Sequence, residues 1–254
     1  MPPWLVMLCA VAAIGAVIYL TTGLVQRRVG EDDDPSQTPD VIEYMTMMIG
    51  VVYAIVLGLA IAGVWEARGS AQTVVDTEAQ ALHEVYERAE VFPEKERTAI
   101  RDSVDAYVTY AVGTEWSHLS EQHRMTDEGN RLFTAVRRAV QESEPRNELQ
   151  GQAYAPMTDQ VAIADDARTA RASAAEPTMP GVVWLGLVTG ALVSIGMVFA
   201  LQIRRTPREL IVAGLYSALF AFLLYLIWDM DTPFSRSMAI GTDAFLHHFP
   251  GADG

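Results

Sequence analysis

The stretch from Val41 to Val64 reads VIEYMTMMIGVVYAIVLGLAIAGV, and it decides the fold. It is almost wholly apolar, and as a helix it is long enough to cross the roughly 30 Å hydrocarbon layer of a bilayer. Three further runs of similar character occur at Trp4–Val25, Val182–Ile203 and Leu210–Trp228. The sequence therefore predicts a membrane protein with four spans in two pairs, one pair within residues 1–65 and the other within residues 181–231.

The polar stretch between the two pairs, residues 66–180, is predicted to form an extramembrane module. After Trp65 the pattern changes from apolar on all sides to amphipathic, with apolar residues three to four positions apart, which is the spacing of one helix face. The members of this stripe are Val75, Ala79, Leu82, Val85, Tyr86 and Ala89. Since no helix breaker precedes the stripe, we expect the second span to continue as one helix to about Phe92.

The rest of the module also has helical spacing. Pro93–Leu119 carries the stripe Ile100, Val104, Tyr107, Val108 and Ala111. Thr126–Glu142 is predicted to begin with a Thr126 cap and to bury Leu132, Val136, Ala139 and Val140. Glu148–Ala174 has a weaker pattern, and we expect Pro156 to interrupt it. No strand-like alternation is present, so the predicted fold class is all-α, with a C-terminal tail at residues 232–254.

Charge limits the classes of partner. The chain has a net charge of −14, and the predicted module contributes 12 Lys and Arg against 21 Asp and Glu, a net of −9. Nucleic-acid binding depends on cations that neutralise phosphates, so this module is not expected to bind nucleic acid. An acidic surface mainly favours solubility, and the attraction of cations toward a pore mouth is the more specific alternative.

Motifs for an enzyme, a cofactor or a metal site are not found. The only cysteine, Cys9, lies in the first apolar run, which excludes an intrachain disulfide. The thioethers of Met45, Met47 and Met48 would suit Cu(I), but no cysteine or histidine is nearby, so we interpret them as packing residues. No nucleophile–base pair, phosphate loop or dinucleotide fingerprint occurs. We predict a protein that is not an enzyme, and a metal transporter is the most distant alternative.

The second span is the candidate functional segment. Its glycines fit close helix packing, but one face could also line a narrow apolar passage. The residues on that face are Glu43, Met47, Gly50, Ala54, Leu57 and Ile61. The acids Glu43, Asp229 and Asp231 lie at the ends of spans, where we expect them to be solvated. A charged ring at the mouth of an oligomeric pore is the alternative.

Basic residues in the short loops predict the orientation in the cell membrane. Arg27 and Arg28 follow the first span, and Arg204, Arg205 and Arg208 join the third and fourth spans. Because short loops rich in arginine stay inside, both termini and the helical module are expected on the outer side.

Several short segments, in order along the chain, are similar to the bacterial bestrophin-like domain family. The segments are Val51–Gly58, Val64–Glu66, Glu78–Leu82, Tyr86–Ala89, Phe92–Pro93, Arg97–Arg101, Tyr107, Glu115–Trp116 and Asp231–Phe234. Bestrophins are pentameric anion channels with two pairs of spans around a helical insert, and their second span lines the pore through an apolar neck. The resemblance implies that the Met47–Ile61 face is that neck. It also implies a cytosolic module, opposite to the arginine argument.

The resulting function hypothesis is a homo-oligomeric ion channel in the lipid bilayer. An isolated four-span subunit has little room for an aqueous path, so conduction of inorganic ions would need a central axis. The resemblance favours anions, whereas the acidic composition favours cations. The alternative is a non-conducting membrane scaffold or envelope sensor whose module binds a partner.

Overall fold

The computed structural model describes residues 40–201 and 207–252, and all the regular elements in these ranges are helices. The all-α prediction is confirmed for this part of the chain. The predicted first span Trp4–Val25, the first loop with Arg27 and Arg28, and the turn residues Arg204 and Arg205 lie outside the described residues.

Eight α-helices are described in chain order: α1 Asp40–Arg88, α2 Glu94–Tyr110, α3 Trp116–Gln122, α4 Asp127–Glu142, α5 Glu148–Ala174, α6 Gly181–Leu201, α7 Pro207–Met230 and α8 Asp243–His248. A 3₁₀ turn at Ala89–Val91 follows α1, and a π-helical segment, Ala111–Glu115, joins α2 to α3. Three helices, α1, α6 and α7, are long and apolar enough to cross a membrane. They correspond to the predicted second, third and fourth spans.

The prediction that the second span continues into the module is confirmed, because α1 runs unbroken for 49 residues. The chain leaves the helical conformation only at Phe92, where φ is −88° and ψ is 157°. That extended conformation is the one that a following proline imposes on its neighbour. Pro93 then precedes the first turn of α2, where its missing N–H costs nothing.

The start of α4 agrees with the sequence prediction, whereas the buried face of α4 and the predicted break in α5 differ from it. Thr126 accepts a hydrogen bond from the Gly129 N–H at 3.0 Å, as expected of an N-cap. Val136 and Val140 are buried as predicted, and Leu132 and Ala139 pack against the core but are only partly buried. The prediction missed Phe133, which is buried. The predicted interruption at Pro156 was also wrong, since α5 continues through it. The burial of Met157 and Val161 compensates for the one hydrogen bond that proline removes.

The described chain divides into two compact units. The membrane unit contains α1 up to Trp65 and the segment Met179–Asp231, and the module contains Glu66–Thr178 and the tail from Thr232. The core of the module includes the stripes of α1 and α2 named above, with Tyr86 only partly buried. Three aromatic residues of the tail, Phe234, Phe245 and Phe249, are buried in this same core.

The two acids at the end of α7 are buried, contrary to the expectation that water would solvate them. Asp229 is 3% exposed and Asp231 is 4% exposed. Asp231 accepts hydrogen bonds from the backbone N–H of Met179 at 2.8 Å and from Nε1 of Trp184 at 3.2 Å. This carboxylate therefore fixes the start of α6 against the end of α7, which is a structural role. The side chain of Glu43 lies outside the described residues.

Candidate functional site

Tyr53 of α1 holds the membrane unit together. Its ring stacks on Phe220 of α7 with centroids 5.3 Å apart, and its hydroxyl donates to the Leu187 carbonyl at 2.5 Å. The ring reaches α6 because Gly190 has no side chain there: a Cβ on Gly190 would lie 2.6 Å from Tyr53 Cδ2. The side of α1 that carries Tyr53 therefore packs against α6 and α7 of the same chain.

The face predicted to line a pore lies at the edge of this packed side. Leu57 is 2% exposed and belongs to the core of the membrane unit, and Ile61 packs against that core. Gly50 is half-buried, and a Cβ at this position would lie 3.8 Å from the Tyr216 hydroxyl. Met47 and Ala54 are exposed. The described part of the chain thus leaves Met47 and Ala54 uncovered, whereas it covers Leu57.

The opposite side of α1 is apolar and uncovered by the described part of the subunit. Exposed residues there are Val51, Val52, Ile55 and Leu59, each more than half exposed. Residues Val182 and Leu185 on α6 and Ile211 and Leu215 on α7 are exposed to a similar extent. Apolar side chains in this number are stable only against lipid or another apolar protein surface.

The module contains a second feature, a set of four charged residues buried in its apolar core. Two are acids, Glu78 on α1 and Glu115 in the π-helical segment, and two are the arginines Arg168 and Arg171 on α5. Their side chains are between 0% and 5% exposed. The charges cancel, as burial at this depth requires. We call these four residues, with Tyr107 at their centre, the ion-pair core.

Both ion pairs in this core are bidentate. Arg168 donates to the two carboxylate oxygens of Glu115 at 2.7 and 2.8 Å, and Arg171 donates to those of Glu78 at 2.7 and 3.1 Å. Tyr107 links the pairs, because its hydroxyl donates to Glu78 at 2.5 Å and accepts from Arg168 Nη1 at 2.6 Å. The core thus joins α1, α2, the π-helical segment and α5 through charge-assisted hydrogen bonds.

Protonation states in the core follow from these contacts. Burial raises the pKa of Glu115, but the hydrogen bond and charge of Arg168 and the charge of Arg171 outweigh it, so the pKa lies below the ordinary value. Burial and the charge of Glu78 raise the pKa of the Tyr107 phenol. Burial lowers the pKa of both arginines, but their acidic partners more than reverse this. The core therefore consists of ionised pairs around a neutral phenol.

Gly129, in the first turn of α4, is required by this arrangement. A Cβ at this position would lie 2.7 Å from Arg168 Nη2 and closer still to the Glu115 carboxylate. The Thr126 amide and hydroxyl donate to the same carboxylate at 3.2 and 3.0 Å. The start of α4 thus forms the outer wall of the Glu115 site, and glycine leaves the space that the carboxylate occupies.

Sequence reasoning did not find the ion-pair core, although a signal was present. Glu78 stands on the inward stripe of α1 between Val75 and Leu82. On α5, Arg168 and Arg171 continue the buried positions Met157, Val161 and Ala164. A charged residue in register with an apolar stripe indicates a buried ion pair, because charged side chains are almost never fully buried without a partner of opposite charge.

A groove of about 470 Å³ runs between α1, α2 and the tail of the module. Its lining includes His83 and Glu87 from α1, Asp105 and Thr109 from α2, and His248 from α8. Among the described residues, no group of three or more His, Cys, Asp or Glu side chains is arranged to hold a metal ion.

Apolar helices of membrane-spanning length, combined with a helical module built on buried ion pairs, define an α-helical membrane protein. A family model for the Bestrophin-like domain matches residues 8–245, and the chain belongs to this family. The resemblance in the sequence is thereby confirmed. Among curated proteins, no significant match to the chain is found.

Solved structures agree with the fold. A bestrophin homologue from Klebsiella pneumoniae, in the structure phased on zinc, has a TM-score of 0.67 at 15% identity, covering 97% of this chain and 95% of that one. A single-substitution variant of a bestrophin homologue from the same organism gives 0.68 at 16% identity, covering 97% of each chain. A variant described only as a membrane protein gives 0.70 at 15% identity, covering 97% and 96%. At identities this low, the structural similarity shows a common fold and nothing more specific.

Proposed function

We propose that this chain is one subunit of a homo-oligomeric ion channel in the cell membrane, with α1 lining the central passage. The observation that carries the proposal is the exposed apolar surface of α1 in a chain of the Bestrophin-like family. One side of α1 packs through Tyr53 and Leu57, and the described part of the chain leaves much of the rest of its circumference uncovered. A helix used in this way can pack on neighbouring subunits and also border an axis.

The passage would be bordered by the predicted face, Glu43, Met47, Gly50, Ala54, Leu57 and Ile61. Met47 and Ala54 are its exposed members and are the positions we propose to face the axis directly. Leu57 and Ile61 would support this face from the packed side. A passage with such side chains is mostly apolar, and it would control ion flow by wetting and drying.

The test uses two exposed positions in the same turn of α1. Ala54 and Val52 are two residues apart and therefore point about 160° away from each other around the helix. Ala54→Phe is expected to reduce single-channel conductance in planar bilayers, whereas Val52→Phe, the matched control, should leave it unchanged. Equal effects of both substitutions, or absence of ion flux from wild-type liposomes at every voltage and pH, would refute the pore assignment.

Selectivity and stoichiometry need separate measurements. We propose anion selectivity and a pentamer, both by resemblance to bestrophins. Reversal potentials in a KCl gradient should follow the chloride equilibrium, and a shift toward the potassium equilibrium would support the cation alternative suggested by the acidic composition. Native mass spectrometry should give the mass of five subunits, each of 27.9 kDa. A stable monomer that conducts nothing would favour the membrane scaffold instead.

The orientation is a proposal from the arginine distribution. Arg27 and Arg28 in the first loop, and Arg204, Arg205 and Arg208 in the last, would lie inside, with the module and both termini on the outer side. A reporter fused after Gly254 tests it directly. A cytosolic signal would overturn the arginine argument and favour the orientation of the family's channels.

A further inference from the structure

The tail of the module is held on α1 and α3 mainly by aromatic contacts. Trp116 of α3 meets Phe234 and Phe245 edge-on, with centroids 5.6 and 6.2 Å apart. The indole Nε1 of Trp116 also donates to the Ile240 carbonyl at 3.3 Å. These contacts cover a residue that matters inside the module, because the guanidinium of Arg171 lies over the Trp116 ring at 5.3 Å. The docked tail therefore supports one side of the ion-pair core.

At its far end the tail is held by a cluster of three histidines. The ring of His248 lies against that of His83 on α1, with centroids 4.8 Å apart and planes 31° apart. His247 approaches His248 at 5.2 Å, and Phe249 meets the edges of His83 and Tyr86. Three imidazoles at such distances fit together when neutral, whereas imidazolium rings in the same positions repel each other.

The buried nitrogen of His83 adds a second reason for the neutral state. Its Nδ1 atom is inaccessible to solvent and has no hydrogen-bond partner within the described residues. Protonation would convert this atom into a buried N–H donor without an acceptor, which is unfavourable. The docked arrangement therefore places the proton of a neutral His83 ring on Nε2.

Acidic groups also face the cluster and oppose this effect. They are Asp76 and Glu87 on α1 and Asp105 on α2, and all three are exposed. Their attraction for an imidazolium is weakened by solvent. Burial and the neighbouring histidines His83 and His247 lower the pKa of His248, and the charge of Asp76 only partly offsets them. The balance at His248 thus favours the neutral ring while the tail is docked.

We propose that protonation of the His83–His247–His248 cluster releases the C-terminal tail from α1, so that docking of the tail responds to pH. In the docked state the pKa of His248 is lower than that of a free histidine, so acid favours the undocked state. Docking is therefore complete above the ordinary histidine pKa, about 6.5, and weakens as the pH falls below it. This inference does not depend on whether the protein conducts ions.

The test is hydrogen–deuterium exchange of the full-length protein in detergent, with rates corrected for intrinsic chemical exchange. Protection of the peptide covering Asp243–His248 should fall by more than about twofold between about pH 7.5 and about pH 5, while protection of α4 is retained. The variant His83→Phe/His248→Phe keeps two stacked rings that cannot titrate, and its protection should stay within about twofold over this range. The control His118→Phe, an exposed residue of α3, should behave like the wild type.

Two results would overturn the proposal: constant protection in the wild type, or the same loss in the wild type and the double variant. If the double variant is already undocked at neutral pH, exchange at the histidine C2 position measures the pKa of each histidine in the wild type. The pKa of His248 should then lie below that of a free histidine, about 6.5. A His248 pKa equal to or above that of a free histidine would also refute the proposal.

Discussion

Replacing Gly129 by alanine tests whether the ion-pair core sets the stability of the module. In an ordinary helix position this substitution stabilises, by about 0.5–1 kcal/mol, because alanine loses less backbone entropy. Here the new Cβ would collide with the Glu115 carboxylate and lie 2.7 Å from Arg168 Nη2, so the bidentate pair must open. Breaking a buried pair costs about 3–5 kcal/mol, which leaves a net destabilisation of about 2–4 kcal/mol.

The assay is thermal unfolding of the purified protein in detergent, followed by intrinsic fluorescence. For a chain of this size about 1 kcal/mol corresponds to about 2–4 °C, so Gly129→Ala should lower Tm by about 5–15 °C. Gly151→Ala is the matched control, since it lies in the second turn of α5 with nothing within 4 Å of the new Cβ. Its Tm should be unchanged or slightly raised.

A rescue variant identifies the cause. Glu115→Asp withdraws the carboxylate by one methylene, roughly 1.5 Å, and makes room for the alanine. In the Gly129→Ala background it should recover part of the lost Tm, although by itself it should destabilise the protein. A Gly129→Ala protein as stable as the wild type, or a pair of substitutions whose effects simply add, would refute this reasoning.

Contacts in the ion-pair core and in the membrane unit can be tested in the same way. Arg171→Met should lower the free energy of unfolding by about 3–5 kcal/mol, because Glu78 is left buried without a cationic partner. Glu78→Met/Arg171→Met should destabilise the protein less than Arg171→Met alone. The opposite order of Tm values would contradict the ion-pair interpretation. The lowered pKa of Glu115 means that its contribution is complete above about pH 4.3 and is lost as the pH falls through the folded-state pKa, so Tm should decrease less steeply with acid in Glu115→Gln than in the wild type. Gly190→Ala should destabilise the membrane unit by displacing Tyr53 from the Leu187 carbonyl, whereas Gly186→Ala, which meets nothing within 4 Å, should not; identical Tm values for these two variants would count against it.

Much of the fold could be predicted from local pattern alone. The continuity of α1 follows from the absence of a breaker between Val64 and Phe92, and the start of α4 follows from the hydroxyl of Thr126. In both cases the structure depends on interactions between residues that are only a few positions apart in the sequence. The helical insert and the family were readable for the same reason, since short segments keep their order along the chain.

The features that were missed depend on contacts between distant segments. Nothing next to Asp231 in the sequence indicates that Met179 and Trp184 bind its carboxylate, so the local pattern predicts solvation for an acid at the end of a span. Likewise Pro156 breaks an isolated helix, but tertiary packing maintains α5 through it. The partners of Glu78 and Glu115 lie 93 and 53 residues away, and only the folded chain brings them together.

The electrical neutrality of the ion-pair core has a consequence for the behaviour of the module in salt solutions. Two acids and two bases cancel in the interior, so the net charge of −9 of residues 66–180 is carried by their remaining side chains, most of them at the surface. Mobile ions screen repulsion among surface carboxylates within about 10 Å at 0.1 M ionic strength, but they do not reach the buried pairs. Added salt should therefore raise the stability of this module, although its centre is held by salt bridges. Its stability should be lowest at low ionic strength.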